Sequence, residues 1–478
     1  MLRARAQYGA LMMAFHKLRV GPQGASPPHA PASHPPSIAG VSPLTPIQWL
    51  VCVVAGLGFA FDLYESLMGA LIVGPVLSTL GSLTPGTPAF NSWVSLFFVV
   101  PAVAGGIFGL LGGYLADRFG RRRVLFWSIL LYAFSSCAAS VATSLPQLLL
   151  WRCTTLIGVS MEAVAALAWV AELFPVPRQR ERALSYTQAC YALGGMLVAG
   201  AYFLAVTYAS RMPLIRGGHE AWRYTLLSGL LPALPLIIVR PFLPESRVWR
   251  QRKAGKTLQR PTLAALFTPH LRATTSLTIV MMACLLALPY GALQQTPRIV
   301  PGLTALQQLS PAAVQQRVSA IFLLQEFGSV TGRLVFGLAV VRITQQARLL
   351  RLFLIPALVV FPWLFFAGST HGLVGFGIGV FCAQALFNAM HSFSGNYLPR
   401  VYPTFVRVTG ESAAMNIGGR VIGAGGALLT TRLANVVPAS TASTRLAYAA
   451  GTTALLVLLA LLVASYWLPE PRSDLLPE

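Results

Sequence analysis

The chain has 478 residues, of which 55% are hydrophobic and only 10% charged. A typical soluble domain carries about 25% charged residues, so this composition excludes an ordinary soluble enzyme and predicts a polytopic membrane protein. The formal net charge of +22 does not mark a nucleic-acid binder, because Lys and Arg gather in the two tails and in segments 118–123, 178–182, 247–272, 342–351 and 400–407. These are alternate loops of a helix bundle whose positive side faces the cytoplasm.

In chain order, residues 1–45 are rich in Pro, Ala, Ser and His and read as a disordered cytoplasmic tail. Their one apolar piece, residues 10–15, is too short to span a bilayer, which takes about 20 residues. Apolar runs then predict helices at 47–71, 92–115, 122–142, 146–172, 183–207 and 222–242. A basic loop follows at 244–272. Six further helices are predicted at 273–295, 315–340, 347–367, 372–396, 409–432 and 445–467, before a short C-terminal tail at 469–478. The expectation is an all-α membrane protein of twelve transmembrane helices in two six-helix halves, 46–243 and 273–468, with both termini cytoplasmic.

Three anchors repeat at nearly one offset. Gly113-x-x-x-x-Arg118 recurs as Gly337-x-x-x-x-Arg342, Phe174-Pro175 as Tyr402-Pro403, and Leu243-Pro244-Glu245-Ser246-Arg247 as Leu468-Pro469-Glu470-Pro471-Arg472. The offsets are 224, 228 and 225, so the two halves are related copies.

The most informative stretch lies between predicted helices 2 and 3. There Gly113-x-x-x-Asp117-Arg118-x-Gly120-Arg121-Arg122 forms a tight, basic turn. In that position the string resembles the loop 2–3 signature of the major facilitator superfamily. The resemblance implies two parallel halves with the substrate site between them near the bilayer midplane. It also implies a cytoplasmic gate, a salt-bridge network of Gly113, Asp117, Arg118, Gly120, Arg121, Arg122, Glu172, Arg182, Glu245 and Glu470, with Asp117 against the start of helix 11. In the second copy Val341 replaces the Asp, which puts the functional weight on the first.

Ionisable residues inside spanning helices are costly, about 2.5–3.5 kcal/mol each at a helix centre on insertion scales. Each is therefore a site candidate. In helix 1, Asp62 and Glu65 fall on one stripe with Gly58 and Gly69. Two carboxylates three residues apart in a low dielectric disfavour joint ionisation, which suits proton carriage; pairing with arginines is the structural alternative. Helix 4 carries Arg152 and Glu162, in partial likeness to the helix 4 pattern of metabolite:proton symporters. Arg152 could bind an anionic substrate or serve as counter-ion to a helix 1 acid. Helix 8 holds Glu326 as a further proton-coupling candidate, and Arg333, expected to be structural. In helix 10, Gln384, Asn388, His391 and Gly395 form a hydrogen-bonding stripe. In helix 11, Asn416 and Arg420 are i and i+4. Gly419-Arg420-Val421-Ile422-Gly423 resembles the Gly-Arg-x-Gly segment of aromatic-acid:proton symporters, with one residue inserted before the last Gly. Tyr290 at the outer end of helix 7 is expected to line the vestibule with Gln294 and Gln295.

The six cysteines sit in or at the edge of apolar runs without metal-ligand spacing and read as packing residues. There is no G-x-x-x-x-G-K-[ST] motif and hence no ATP-driven engine, no metal or cofactor site, and no nucleophile–base arrangement. The expectation is a monomeric secondary transporter of the inner membrane that imports a small organic anion with protons. A proton-coupled exporter is the first alternative, and a non-transporting solute sensor the second.

Overall fold

The structure is a computed structural model. It describes residues 45–174, 190–239, 263–343, 345–368, 372–403 and 406–470, with positions 179, 183, 186, 187, 245, 246 and 249–251. The first helix, α1, spans Pro46–Thr79. It starts sharply because Thr45 accepts from the Gln48 amide while the Gln48 side chain returns to the Thr45 backbone, a capping box. α2 (Pro88–Phe119), α3 (Arg121–Ser140), α4 (Leu145–Leu173), α5 (Leu193–Tyr208) and α6 (Ala221–Val239) complete the first half. In the second half, α7 (Arg272–Gly291) continues through short turns to Gly302. It is followed by α8 (Pro311–Val340), α9 (Gln346–Pro362), α10 (Gly372–Val401) and α12 (Ala442–Ala464). Between the last two lies α11, in three pieces: Arg407–Ala413, a π-helical turn at Ala414–Ile422, and Gly425–Val436. Ser or Thr caps α2, α4, α8 and α12 as well, with Pro in the first turn of α2, α4 and α8.

The twelve-helix architecture stands as expected, with longer elements. α1 extends eight residues past its predicted end because Pro75, within the helix, does not stop it. Neighbouring helices in a bilayer can re-satisfy the backbone group a proline frees. All six cysteines are free.

Small residues set the packing. Within the first half Gly194 of α5 lies on the Ala60 carbonyl of α1; within the second, Gly418 of α11 lies on the Ile279 carbonyl of α7. The two glycines are 224 residues apart, the offset of the sequence repeat. Gly328 and Gly332 of α8 similarly rest on the Phe381 and Ala385 carbonyls of α10. Close approach of this kind is how helices gain contact where lipid removes the hydrophobic drive between them. The halves meet along two seams, α5 against α8 and α2 against α11. At the end of the bundle where α1 finishes, hydrogen bonds cross both seams. Tyr202 donates to Gln315 (2.8 Å), Asn91 to Asn435 (2.7 Å) and Arg298 to Asn91 (3.0 Å).

Candidate functional site

Two polar clusters occupy the membrane interior, and they differ in where their partners come from. The first lies inside one half. Glu65 of α1 is 1% exposed and pairs with Arg152 of α4 at 3.6 Å. The same guanidinium donates to the Glu65 backbone carbonyl at 2.8 Å, and Ser136 of α3 donates to the carboxylate at 3.4 Å. Gly69 leaves room for the arginine, since a Cβ there would stand 3.3 Å from its Nη2. Of the two roles open to Arg152, the geometry gives counter-ion to a helix 1 acid. Glu162, also in α4, is fully buried.

The second cluster lies at the seams. In α8, Glu326 accepts from the Gln384 side chain of α10 at 3.3 Å. Its other carboxylate oxygen is buried, has no hydrogen-bond partner, and points at Gly195 of α5, in the opposite half. One turn pair further along α8, Arg333 donates to Asn388 of α10 at 3.1 Å. Its guanidinium lies 5.5 Å from the ring centre of Tyr191, across the seam. Tyr191 also falls within electrostatic range of Asp62, Arg420 and Tyr290. His391 packs on Phe387 with ring centres 5.9 Å apart and senses the Arg333 charge. In α11, Arg420 donates to Asn416 at 3.4 Å, and both side chains press on Gly109 of α2. Tyr290 meets Phe98 of α2 edge-on at 6.4 Å. Three charges, Asp62, Arg333 and Arg420, thus act on Tyr191, and Glu326 lies at the same α5–α8 seam as Arg333.

Most of the residues singled out by sequence fall into one of these two clusters. Arg333, expected to be structural, stands at the seam between Asn388 and Tyr191. Tyr191 was missed altogether. A lone Tyr just before α5 carries no periodic signal, and only the fold shows that it meets Arg333.

At the end of the bundle where α1 begins, the described residues of the expected gate make several contacts. Arg121 bridges to Glu172 at 3.0 Å and also donates to the Ala116 carbonyl. Glu245 accepts from the Arg122 backbone amide at 3.2 Å and so caps α3. Glu470 does the same for α9, accepting from the backbone amides of Gln346 (3.1 Å) and Ala347 (2.8 Å). Glu245 and Glu470, equivalent positions of the repeat, are therefore a pair of helix N-terminal caps, one per half, placed where the helix dipole favours an anion. Gly120 is required by its backbone, at φ 102°, and a side chain there would also meet the Glu245 carboxylate. Gly113 has no such need: a Cβ would make only ordinary contact, 3.6 Å from Val164. Arg118 is exposed, donating to Tyr114 at 3.3 Å and lying over Phe119, outside the Arg121–Glu172 and Glu245 contacts. Arg182 and the Asp117 side chain lie outside the described residues.

Two long, closely matched halves with an interior polar site define a membrane transporter fold, and comparison with known proteins places it. A family model for the Major Facilitator Superfamily matches residues 49–403, and the chain belongs to that family. It is 28% identical over 370 residues to the "Probable 4-methylmuconolactone transporter" of Cupriavidus pinatubonensis, covering 77% of this chain and 79% of that one. It is 27% identical over 413 residues to the 4-hydroxybenzoate transporter of Pseudomonas aeruginosa, covering 80% and 86%. A crystal structure of a D-xylose-proton symporter superposes with a TM-score of 0.69 at 17% identity, covering 89% of this chain and 98% of that one. The protein is a multi-span membrane transporter of small molecules and not an enzyme.

Proposed function

We propose that the protein imports a small cyclic or aromatic carboxylate together with a proton, by rocking of the two halves about the seam cluster. The observation that carries this reading is the meeting of Arg333 and Arg420 with Tyr191, Tyr290 and Asn388 between the halves. A planar guanidinium holds a carboxylate through two parallel hydrogen bonds, and the tyrosine rings offer faces to a flat ring. Relatives named for 4-hydroxybenzoate and 4-methylmuconolactone support the substrate class.

Charge balance supplies the coupling. With Asp62 and Glu326 ionised, two arginines and two carboxylates leave the cluster formally neutral. A substrate anion entering a low-dielectric site adds an uncompensated charge, which is expensive. One proton taken up by a cluster carboxylate restores neutrality, so anion and proton favour each other's binding. Glu326 is the assigned carrier, because its unpartnered carboxylate oxygen faces Gly195 across the seam, where rocking of the halves changes its surroundings. Glu65 is already engaged by Arg152. By the positive-inside rule, the chain sits in the inner membrane with both termini cytoplasmic, and works as a monomer.

The test is uptake of labelled 4-hydroxybenzoate, benzoate and a hexose into proteoliposomes with and without an inward proton gradient. Carboxylate accumulation abolished by a protonophore is the expected result. Movement of the carboxylate outward against proton entry would mean an exporter. Hexose uptake alone would overturn the substrate class.

A further inference from the structure

The end of the bundle where α1 finishes holds a cavity of about 970 Å³ that the seam cluster does not use. Both halves build it. Asn91, Phe90, Tyr202 and Trp222 come from one, Arg298 and Gln315 from the other. Its volume lies at the upper end of the range for small-molecule sites. The Tyr202–Gln315 and Asn91–Asn435 hydrogen bonds tie the halves together at its wall.

Arg298 is the unusual member. Its guanidinium is held flat by three neutral groups. It donates to Gln295 at 2.7 Å and to Asn91 at 3.0 Å, and lies 5.4 Å from the centre of the Phe90 ring. Its Nε is buried and has no partner. Among the described residues no carboxylate pairs with it, unlike Arg152, which has Glu65. The carboxylate on the cavity wall, Glu220, is bound by Arg223 at 3.2 Å. A second cation, Arg445, also faces the cavity, and α2, α6, α8 and α12 all begin at its wall. Their N-terminal dipoles add positive potential. A partly desolvated cation without a counter-ion is costly to keep. Here it is set beside a roomy cavity with aromatic walls and positive helix ends.

We infer that this cavity is a second binding site, in which Arg298 takes the carboxylate of a small aromatic acid and the positive helix ends favour its charge. The inference rests on the proposed substrate class but not on the seam cluster. Arg298 belongs to one half and Asn91 to the other, so separating the halves at this end breaks their hydrogen bond. The freed donor is then available to the carboxylate as the path to the seam cluster opens. The site collects substrate at the mouth and releases it inward.

Equilibrium binding of radiolabelled 4-hydroxybenzoate to the purified full chain in detergent tests this, with Arg298→Gln, Ala312→Trp and Arg333→Gln compared with the parent. Ala312 is an exposed wall residue, so its replacement fills the cavity while leaving Arg298 in place and serves if Arg298→Gln fails to fold. Two molecules per chain are expected for the parent. Arg298→Gln and Ala312→Trp should each keep one, and Arg333→Gln should lose the other. In uptake, Arg298→Gln should raise KM at least about tenfold, the loss of one charge-assisted contact, with kcat little changed. A single parental site that survives both cavity variants would overturn the inference. So would displacement by equimolar chloride or phosphate, which would mean that charge alone is recognised. A single site lost in Arg298→Gln and untouched by Arg333→Gln would uphold the cavity and instead overturn the seam reading.

Discussion

The Glu65–Arg152 pair and the Glu326–Arg333 cluster both set charges in the membrane interior, the first across α1 and α4 and the second along α8, and they are built differently. Every partner of Glu65 and Arg152 belongs to the first half, so the pair moves as one body when the halves rock. Glu326 accepts a hydrogen bond from α10 in its own half and Arg333 donates one to it, while both lie against residues of the other half, Gly195 and Tyr191. A buried pair closed within one body serves the integrity of that body. A pair whose environment changes when two bodies separate can couple ligand, proton and conformation, because its energy differs between the two states.

Breaking each cluster should therefore give different failures. The largest effect belongs to Arg152→Gln, which strands the Glu65 carboxylate. Removing one partner of a buried pair costs about 3–5 kcal/mol, so a large fall in the thermal midpoint of the detergent-solubilised protein is expected, with substantial recovery in the Arg152→Gln/Glu65→Gln double variant. Next comes Arg333→Gln. Its fold should survive, with the thermal midpoint near that of the parent, while carboxylate uptake falls about 10- to 100-fold, the worth of a charge-assisted hydrogen bond. If Arg333→Gln unfolds the protein and Arg152→Gln merely slows it, the distinction between the clusters fails. Glu326→Gln sharpens the comparison: substrate exchange should persist while accumulation driven by the proton gradient is lost. Gly195→Ala places a methyl where the Glu326 carboxylate now stands. It should slow turnover by hindering closure of the α5–α8 seam, with substrate affinity altered less than turnover. The smallest effect is expected at the caps, where Glu245→Gln and Glu470→Gln should each cost about 1 kcal/mol of stability.

Much of the fold was legible in the sequence because a bilayer demands long apolar runs and a repeat betrays itself by a fixed offset. Gly113 and Gly337, Phe174 and Tyr402, and Glu245 and Glu470 were enough to divide the chain into its halves. The site was less legible. Helical spacing placed Gln384, Asn388 and His391 on one stripe of α10, and Asn416 with Arg420 on α11. Spacing on a single helix cannot say which neighbour that stripe meets. It therefore left Arg152 between a substrate anion and a helix 1 acid, and packing joins it to Glu65; it gave no sign that Arg333 meets Tyr191. Among the charges at 118–123, folding shows an exposed Arg118, a bridging Arg121 and an Arg122 backbone capped by Glu245, contacts that spacing alone could not assign.

The π-helical turn of α11 bears on how such a site can be altered. The sequence there carries one residue more than the segment it resembles, and the Gly423 amide bonds to the Gly418 carbonyl, five residues back. In a regular helix of 3.6 residues per turn, an inserted residue would rotate everything after it by about 100° and spoil the fit of Gly425–Val436 against α2. A wide turn absorbs the insertion on the spot. The stretch that carries Asn416 and Arg420 can thus change length, and with it the reach and angle of the arginine, while the rest of the helix keeps its register. A helix inside the bundle acquires in this way the tolerance usually reserved for surface loops.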